Sequence, residues 1–183
     1  MTTAGITFVL RDGGTAPGAD LLALRAEACD HGPRAGDAAE RQLRVRHRQP
    51  GFALAEARHG DYLVGYASGL PLRPSTSWWK DLTTPLPADV TAEYPGRTFA
   101  LAELLVRASW RRQGIGRALH DMILDGRPEE RATLTVAPGE TAAQAAFRKW
   151  GWRRIARTRA PAAADRDAPG APVLDVLITD LRP

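Results

Sequence analysis

The stretch Thr98 to Gly116, TFALAELLVRASWRRQGIG, constrains the fold more than any other part of this chain. Its first nine residues are a continuous apolar run broken only by Glu103. Such a run is expected as a central strand buried on both faces. It ends at a cluster of arginines, and Gly114 and Gly116 follow with one residue between them. A helical pattern then begins, with Ile115, Leu119, Met122 and Ile123 on one face. A buried strand, a glycine loop and an amphipathic helix in that order belong to a layered fold of helix and sheet.

The flanking sequence supplies the remaining layers. Ile6 to Leu10 is β-branched and aromatic and predicts a first strand. Leu21, Leu24, Arg25 and Ala28 recur at helical spacing. A second helix is expected from Asp37, where Asp37 and Glu40 have the spacing of a capping box, to about Arg48. Phe52 to Arg58 and Tyr62 to Leu70 read as a hairpin turning at His59-Gly60-Asp61. Pro71 to Gly96 is irregular and proline-rich, with room for a short helix over Ala88 to Glu93. Irregular segments of this length often line functional sites. RATLTVAP predicts another strand. ETAAQAAFRKWGW predicts a helix, with Thr141 and Gln144 as capping box and Gly151 as its stop. Two strands, WRRIARTRA and VLDVLITDL, close the chain around the low-complexity stretch APAAADRDAPGAP.

Composition narrows the class. A chain of 183 residues, 44% of them hydrophobic, suffices for one compact domain with a core. The formal charge is +4, nearly all from arginine, since only Lys80 and Lys149 are lysine. The basic charge is scattered and makes no basic helix, so no nucleic-acid partner is expected. A single cysteine, Cys29, excludes an intramolecular disulfide and a cysteine-cluster metal site, and it reads as a structural thiol. The N-terminus lacks a basic start followed by a long apolar run, and no segment reaches membrane-spanning length. No membrane partner and a cytoplasmic location are therefore expected.

The glycine loop is the place to look for a ligand. The first N–H groups of a helix have no internal partners, and the helix dipole adds positive charge there. Gly114 and Gly116 carry no Cβ, so an anion can approach the backbone closely. Arg111, Arg112 and Arg117 add planar forks suited to phosphate oxygens. A P-loop needs Lys-Ser/Thr after its glycines, and here Arg117-Ala118 follows. A dinucleotide fingerprint needs a third glycine where this chain has Leu119. A loop that merely caps its helix is the remaining reading of the glycines alone.

RRQGIG, Arg111 to Gly116, resembles the Arg/Gln-x-x-Gly-x-Gly/Ala acyl-CoA motif of the GNAT superfamily of N-acetyltransferases. The preceding Leu104-Leu105-Val106 matches the family's Leu-x-Val strand end, and ETAAQAAFRKWGW is similar to its second cofactor segment. The resemblance covers about Phe99 to Trp152. It implies a single GNAT-like domain over residues 1–183, with a cofactor-binding core at about 98–152. The implied architecture is α/β (α+β). Its central sheet is mixed, mostly antiparallel and of about seven strands, flanked by about four helices and splayed between the fourth and fifth strands.

The resemblance also implies acetyl-CoA (coenzyme A) as cofactor. Pantetheine would run along the backbone of Leu104, Leu105 and Val106. The pyrophosphate would sit on the amides of Gln113, Gly114, Ile115, Gly116 and Arg117, beside Arg111 and Arg112. Glu140 and Phe147 occupy the second cofactor segment. The family usually has an Asn at the position of Glu140 and an acid-donating Tyr at that of Phe147. The implied reaction is transfer of acetyl from acetyl-CoA to a primary amine by direct attack. The alternative is an acyl-CoA-binding module with weak or no turnover. The partners are acetyl-CoA and an amine-bearing acceptor, and the protein is a monomer or homodimer.

Glu103, the one charge in the central strand, is the candidate general base. A salt bridge to a nearby arginine, or exposure at the splayed strand, explains it equally, and alternation does not choose between them. Trp78 and Trp79, with Asp81, Asp89 and Glu93 nearby against Lys80 alone, suit an amine-bearing substrate. Either tryptophan can equally plug the core, and the acids can be solvated surface. Tyr66 is a further acceptor-side candidate or a packing residue. His47 and His59 lie near expected turns and His120 in a helix, and all three are expected at the surface. Small amine, antibiotic, amino acid and protein N-terminus are not distinguished.

Overall fold

The computed structural model describes residues 5–13, 18–28, 41, 43–159 and 172–182. Cys29, the Asp37/Glu40 capping box and the stretch 160–171 lie outside the described residues. Seven strands form one mixed sheet: β1 (Ile6–Asp12), β2 (Ala53–His59), β3 (Tyr62–Pro71), β4 (Thr98–Val106), β5 (Arg131–Val136), β6 (Arg153–Arg159) and β7 (Val173–Asp180). Their order is β1-β2-β3-β4-β5-β7-β6. The helices are α1 (Ala19–Ala28), α2 (43–47), α3 (Ala88–Thr91), α4 (Ile115–Leu124) and α5 (Thr141–Lys149). No described helix is long and apolar enough to cross a membrane.

Two compact units divide the chain, Met1–Leu70 with Leu101–Arg127 and Pro71–Ala100 with Pro128–Pro183. In the first, β1 pairs antiparallel with β2 from Ile6↔His59 to Asp12↔Ala53, two residues beyond the expected strand end. β2 pairs antiparallel with β3, with an irregularity at Ala57/Arg58. Gly60 takes φ 58 in their turn, a conformation glycine adopts without cost. Successive side chains of β3 leave opposite faces. A Cβ on Gly65 would lie 3.2 Å from Leu119 Cδ1 of α4, whereas Tyr66 enters the core with Leu21 and Leu24 of α1 and Leu43 of α2. Helices α1 and α4 therefore cover opposite faces of β3.

On α4, Ile115, Leu119 and Ile123 are buried as the spacing predicts. Met122 is only half-buried, and His120 and Leu124 complete the buried face. His120 is thus a correction to the expected surface position, as is His47, which is 4% exposed and stacks at 4.7 Å on Phe52.

In the second unit, β4 runs parallel to β5 over three residues, Thr98↔Arg131 to Ala100↔Thr133. β5 and β6 each pair antiparallel with β7. Burial of β4 follows its ladder: Thr98 to Leu101 are buried, and Ala102 to Val106 are half-buried. The strand is covered on both faces only in its first half, a correction to the expected full burial. Leu72, Trp79, Ala100 and Val176 form the core of this unit. The proline-rich segment is tied to β6, where Thr83 N donates to Arg157 O at 2.8 Å and Arg159 N to Asp81 O at 2.9 Å.

Candidate active site

After β4 the chain makes a 3-10 turn at Ala108–Trp110 and then the loop Arg111–Gly114. Arg112 and Gly114 have positive φ, 63 and 84, on either side of Gln113. Alternation of backbone handedness turns successive N–H groups to one side and makes an anion-sized concavity. Gly114 caps α4 without a side-chain hydrogen bond, and a Cβ built on it would meet nothing within 4 Å. Among the described residues, that position is open. Arg111 Nε is held by Val106 O at 3.0 Å and Gln113 Nε2 by Ser109 O at 3.3 Å, which fixes the loop to the end of β4. Arg117 pairs with Asp121 at 2.6 Å, and Arg112 is exposed. These residues fit a pyrophosphate.

One turn into the helix, burial pulls the His120 imidazole below its ordinary pKa, while the bonded Asp121 carboxylate, at 2.8 Å from Nδ1, opposes the shift.

On the α1 side of β4, Glu103 is enclosed by donors. Arg25 Nε donates to Oε1 at 2.7 Å and the Tyr66 hydroxyl to Oε2 at 2.6 Å. The salt bridge to an arginine, one of the readings open for Glu103, is present. Tyr66 is completely buried, and the side chains of Arg25 and Glu103 retain 14% and 12% exposure. Arg46, half-buried on α2, acts on the same three groups. Burial lowers its pKa, attraction to Glu103 raises it, and repulsion from Arg25 lowers it again. Arg25 and Arg46 have no site role in the sequence reading. The available signal was Arg25 on the apolar stripe of α1, since an arginine on a buried face demands a partner.

The second cofactor segment is less open. Phe147 is 8% exposed and meets Trp150 and Trp152 edge-on, at 5.4 and 5.8 Å between ring centroids. Glu140 is exposed and caps α5 through its backbone alone. The Thr141/Gln144 capping box does not form, because Glu140 and not Thr141 is the N-cap of α5 and Thr141 N donates to Gly139 O. Gln144 Nε2 donates to Ala137 O and to the buried Asp175 carboxylate, both at 3.1 Å.

The two tryptophans have separate roles. Trp79 donates through Nε1 to Glu93 at 3.0 Å. The same oxygen accepts from Thr98 Oγ1 at 2.9 Å and Arg131 at 3.1 Å, and the Arg131 guanidinium lies 5.7 Å from the Trp79 ring. Glu93 is thus a network residue through this oxygen, while its Oε2 has no hydrogen-bond partner among the described residues. Trp79 also walls a cavity of about 680 Å³ with Thr76, Lys80, Leu82 and Leu86. Trp78 is half-buried, and its Nε1 has no partner among the described residues.

Comparison with known proteins gives the family and the fold. The family model for the Acetyltransferase (GNAT) family matches residues 20–152, and the chain belongs to that family. GNAT acetyltransferases use acetyl-CoA. The fold is shared with a GNAT family acetyltransferase from Elizabethkingia anophelis with acetyl-CoA bound. That structure aligns with TM-score 0.62 at 16% identity, over 97% of this chain and 99% of that one. It is shared also with an aminoglycoside 6'-acetyltransferase type Ii (0.65, 14%, 96% and 98%) and with an acetyltransferase from Thermus thermophilus (0.57, 18%, 95% and 97%). Among curated proteins, none matches this chain.

Proposed function

We propose that the protein is an N-acetyltransferase that moves the acetyl group of acetyl-CoA to a primary amine of a small molecule or peptide by direct attack in a ternary complex. The observation that carries this reading is the uncapped start of α4, with two positive-φ residues and an open Gly114 beneath exposed arginines. When bound, acetyl-CoA supplies a thioester carbon open to an amine nucleophile. The N–H groups of Gln113 to Arg117 hold the pyrophosphate, with the Arg112 guanidinium beside it. The backbone of Leu104 to Val106 receives the pantetheine arm. Glu103, fixed by Arg25 and Tyr66, takes the proton from the acceptor ammonium so that the neutral amine can attack. Phe147 has no proton to give, so protonation of the departing thiolate falls to water. In this reading the chain acts as one domain, a monomer or homodimer, in the cytoplasm.

A non-catalytic acyl-CoA binder is the second reading, favoured by Phe147 lying sealed against Trp150 and Trp152. Thiol release from acetyl-CoA across an amine panel separates the two, because tight CoA binding without turnover on any amine selects the binder. The cofactor assignment is tested by calorimetry. Arg112→Glu places a carboxylate beside the phosphates and is expected to weaken acetyl-CoA binding by about tenfold or more. Unchanged affinity overturns the assignment.

A further inference from the structure

Of the acids that the sequence set beside the acceptor, Glu93 is engaged in a buried network and Asp89 is exposed, whereas the described surroundings of Glu103 carry surplus positive charge. Both Glu103 oxygens already accept from a strong donor, Arg25 on one and Tyr66 on the other. Arg46, on α2 one turn beyond the core residue Leu43, is a second guanidinium whose charge acts on this carboxylate, and it has no hydrogen bond or salt bridge among the described residues. Among the described residues, two arginines against one carboxylate leave one positive charge unmatched where water has limited access. A second polar group nearby is also unmatched. Ser68 lies two residues beyond Tyr66 on β3, and therefore on the same face. It is 1% exposed, and its Oγ has no partner among the described residues. A buried hydroxyl and a half-buried guanidinium without acceptors both cost stability until something supplies one. A planar carboxylate suits them, since it offers several lone pairs and pairs with guanidinium in a fork.

We propose that the acceptor is an amine that also bears a carboxylate, an amino acid or an amino-acid-like arylamine, with that carboxylate held by Arg46 and Arg25 and hydrogen-bonded by Ser68. This rests on the N-acetyltransferase reading above. The same surplus charge disfavours polycationic acceptors, because a second ammonium would meet like charge at the site.

Two pairs of probes differ only in the carboxylate: L-phenylalanine against 2-phenylethylamine, and 4-aminobenzoate against aniline. Each is titrated calorimetrically into the full chain loaded with CoA, and each is tested for thiol release with acetyl-CoA. The carboxylated member of at least one pair is expected to bind about tenfold or more tightly, and to be favoured similarly in kcat/KM. Arg46→Gln should bring that ratio close to one, and Arg46→Lys should keep much of it. The ratio within one protein is the readout, so a general loss of stability in a variant does not imitate the effect. Equal binding within both pairs, preference for the decarboxylated members, or a ratio unchanged in Arg46→Gln overturns the proposal. Arg46-dependent carboxylate binding without any turnover upholds the carboxylate site and removes the catalytic reading. Turnover that ignores the carboxylate does the reverse.

Discussion

Gly65 sets how closely β3 approaches its neighbours. A Cβ there would lie 2.9 Å from Leu105 O and 3.2 Å from both Leu119 Cδ1 and Val106 Cγ2, and the nearest of these is backbone. Gly65→Ala is expected to cost about 1–3 kcal/mol, read as a lower denaturant midpoint at unchanged slope. Glu103→Gln keeps the shape but removes the charge that Arg25 and Arg46 share. In the proposed mechanism it lowers kcat about a hundredfold or more and leaves acetyl-CoA affinity within about twofold. A comparable loss of cofactor affinity would show that Glu103 supports the fold and not the proton transfer. Glu103 also marks how far sequence reaches at this scale. Its isolation in an apolar strand was legible, but its partner Arg25 lies 78 residues away, and no local spacing encodes such a contact. Arg46 and the unpaired hydroxyl of Ser68 were hidden for the same reason.

Among the elements, the proline-rich segment is held by a buried network as well as by its bonds to β6. Arg131 on β5 bonds Glu93, Thr98 and the carbonyl of Val90, and the Glu93 side chain is 1% exposed. Arg131→Met would leave that carboxylate buried without its cation, at about 3–5 kcal/mol. Differential scanning calorimetry should show a fall in Tm of roughly 10 °C for a chain of this size. A Tm unchanged within about 2 °C would mean that Thr98 and Trp79 satisfy Glu93 unaided. Elements with strong periodicity were legible: β4 spans the residues its apolar run marked out, and Gly151 (φ 92) follows the end of α5. What failed was the cap of α5. Thr141 and Gln144 have capping-box spacing, yet Glu140 is the N-cap, and Asp175, 31 residues further on, takes the Gln144 amide. Burial of β4 failed halfway for a related reason, because it depends on where the ladder with β5 stops and not on the apolarity of the run.

For the molecule as a whole, acid sensitivity follows from two histidines. Burial lowers the pKa of His47 and of His120 below the ordinary value of about 6.5. Between the folded and unfolded pKa values the unfolded chain binds more protons, so stability rises with pH through that window. Their contribution is complete above about pH 6.5 and is lost as pH falls toward the lowered values. The Tm is expected to decline from pH 7.5 to 5.5. A His47→Asn/His120→Asn double variant should decline less over that interval, whatever its stability at pH 7.5. Equal slopes would assign the acid response to carboxylates. Neither histidine was legible as buried. His120 falls off the apolar stripe by spacing, and its burial depends on how far around α4 the covering extends.

The left-handed backbone of Arg112 has a practical consequence for anyone improving this protein. An L-residue at φ 63 sits about 1–2 kcal/mol above its relaxed backbone, and glycine does not. Arg112→Gly should therefore raise the Tm of the ligand-free protein while removing a cation from the proposed phosphate cradle. The gain in Tm on adding acetyl-CoA should shrink correspondingly. A thermostability screen run on ligand-free protein would rank this variant among its best, and the same screen run with saturating acetyl-CoA would demote it. Opposite rankings at one position would identify the loop as a place where rigidity and ligand capture compete.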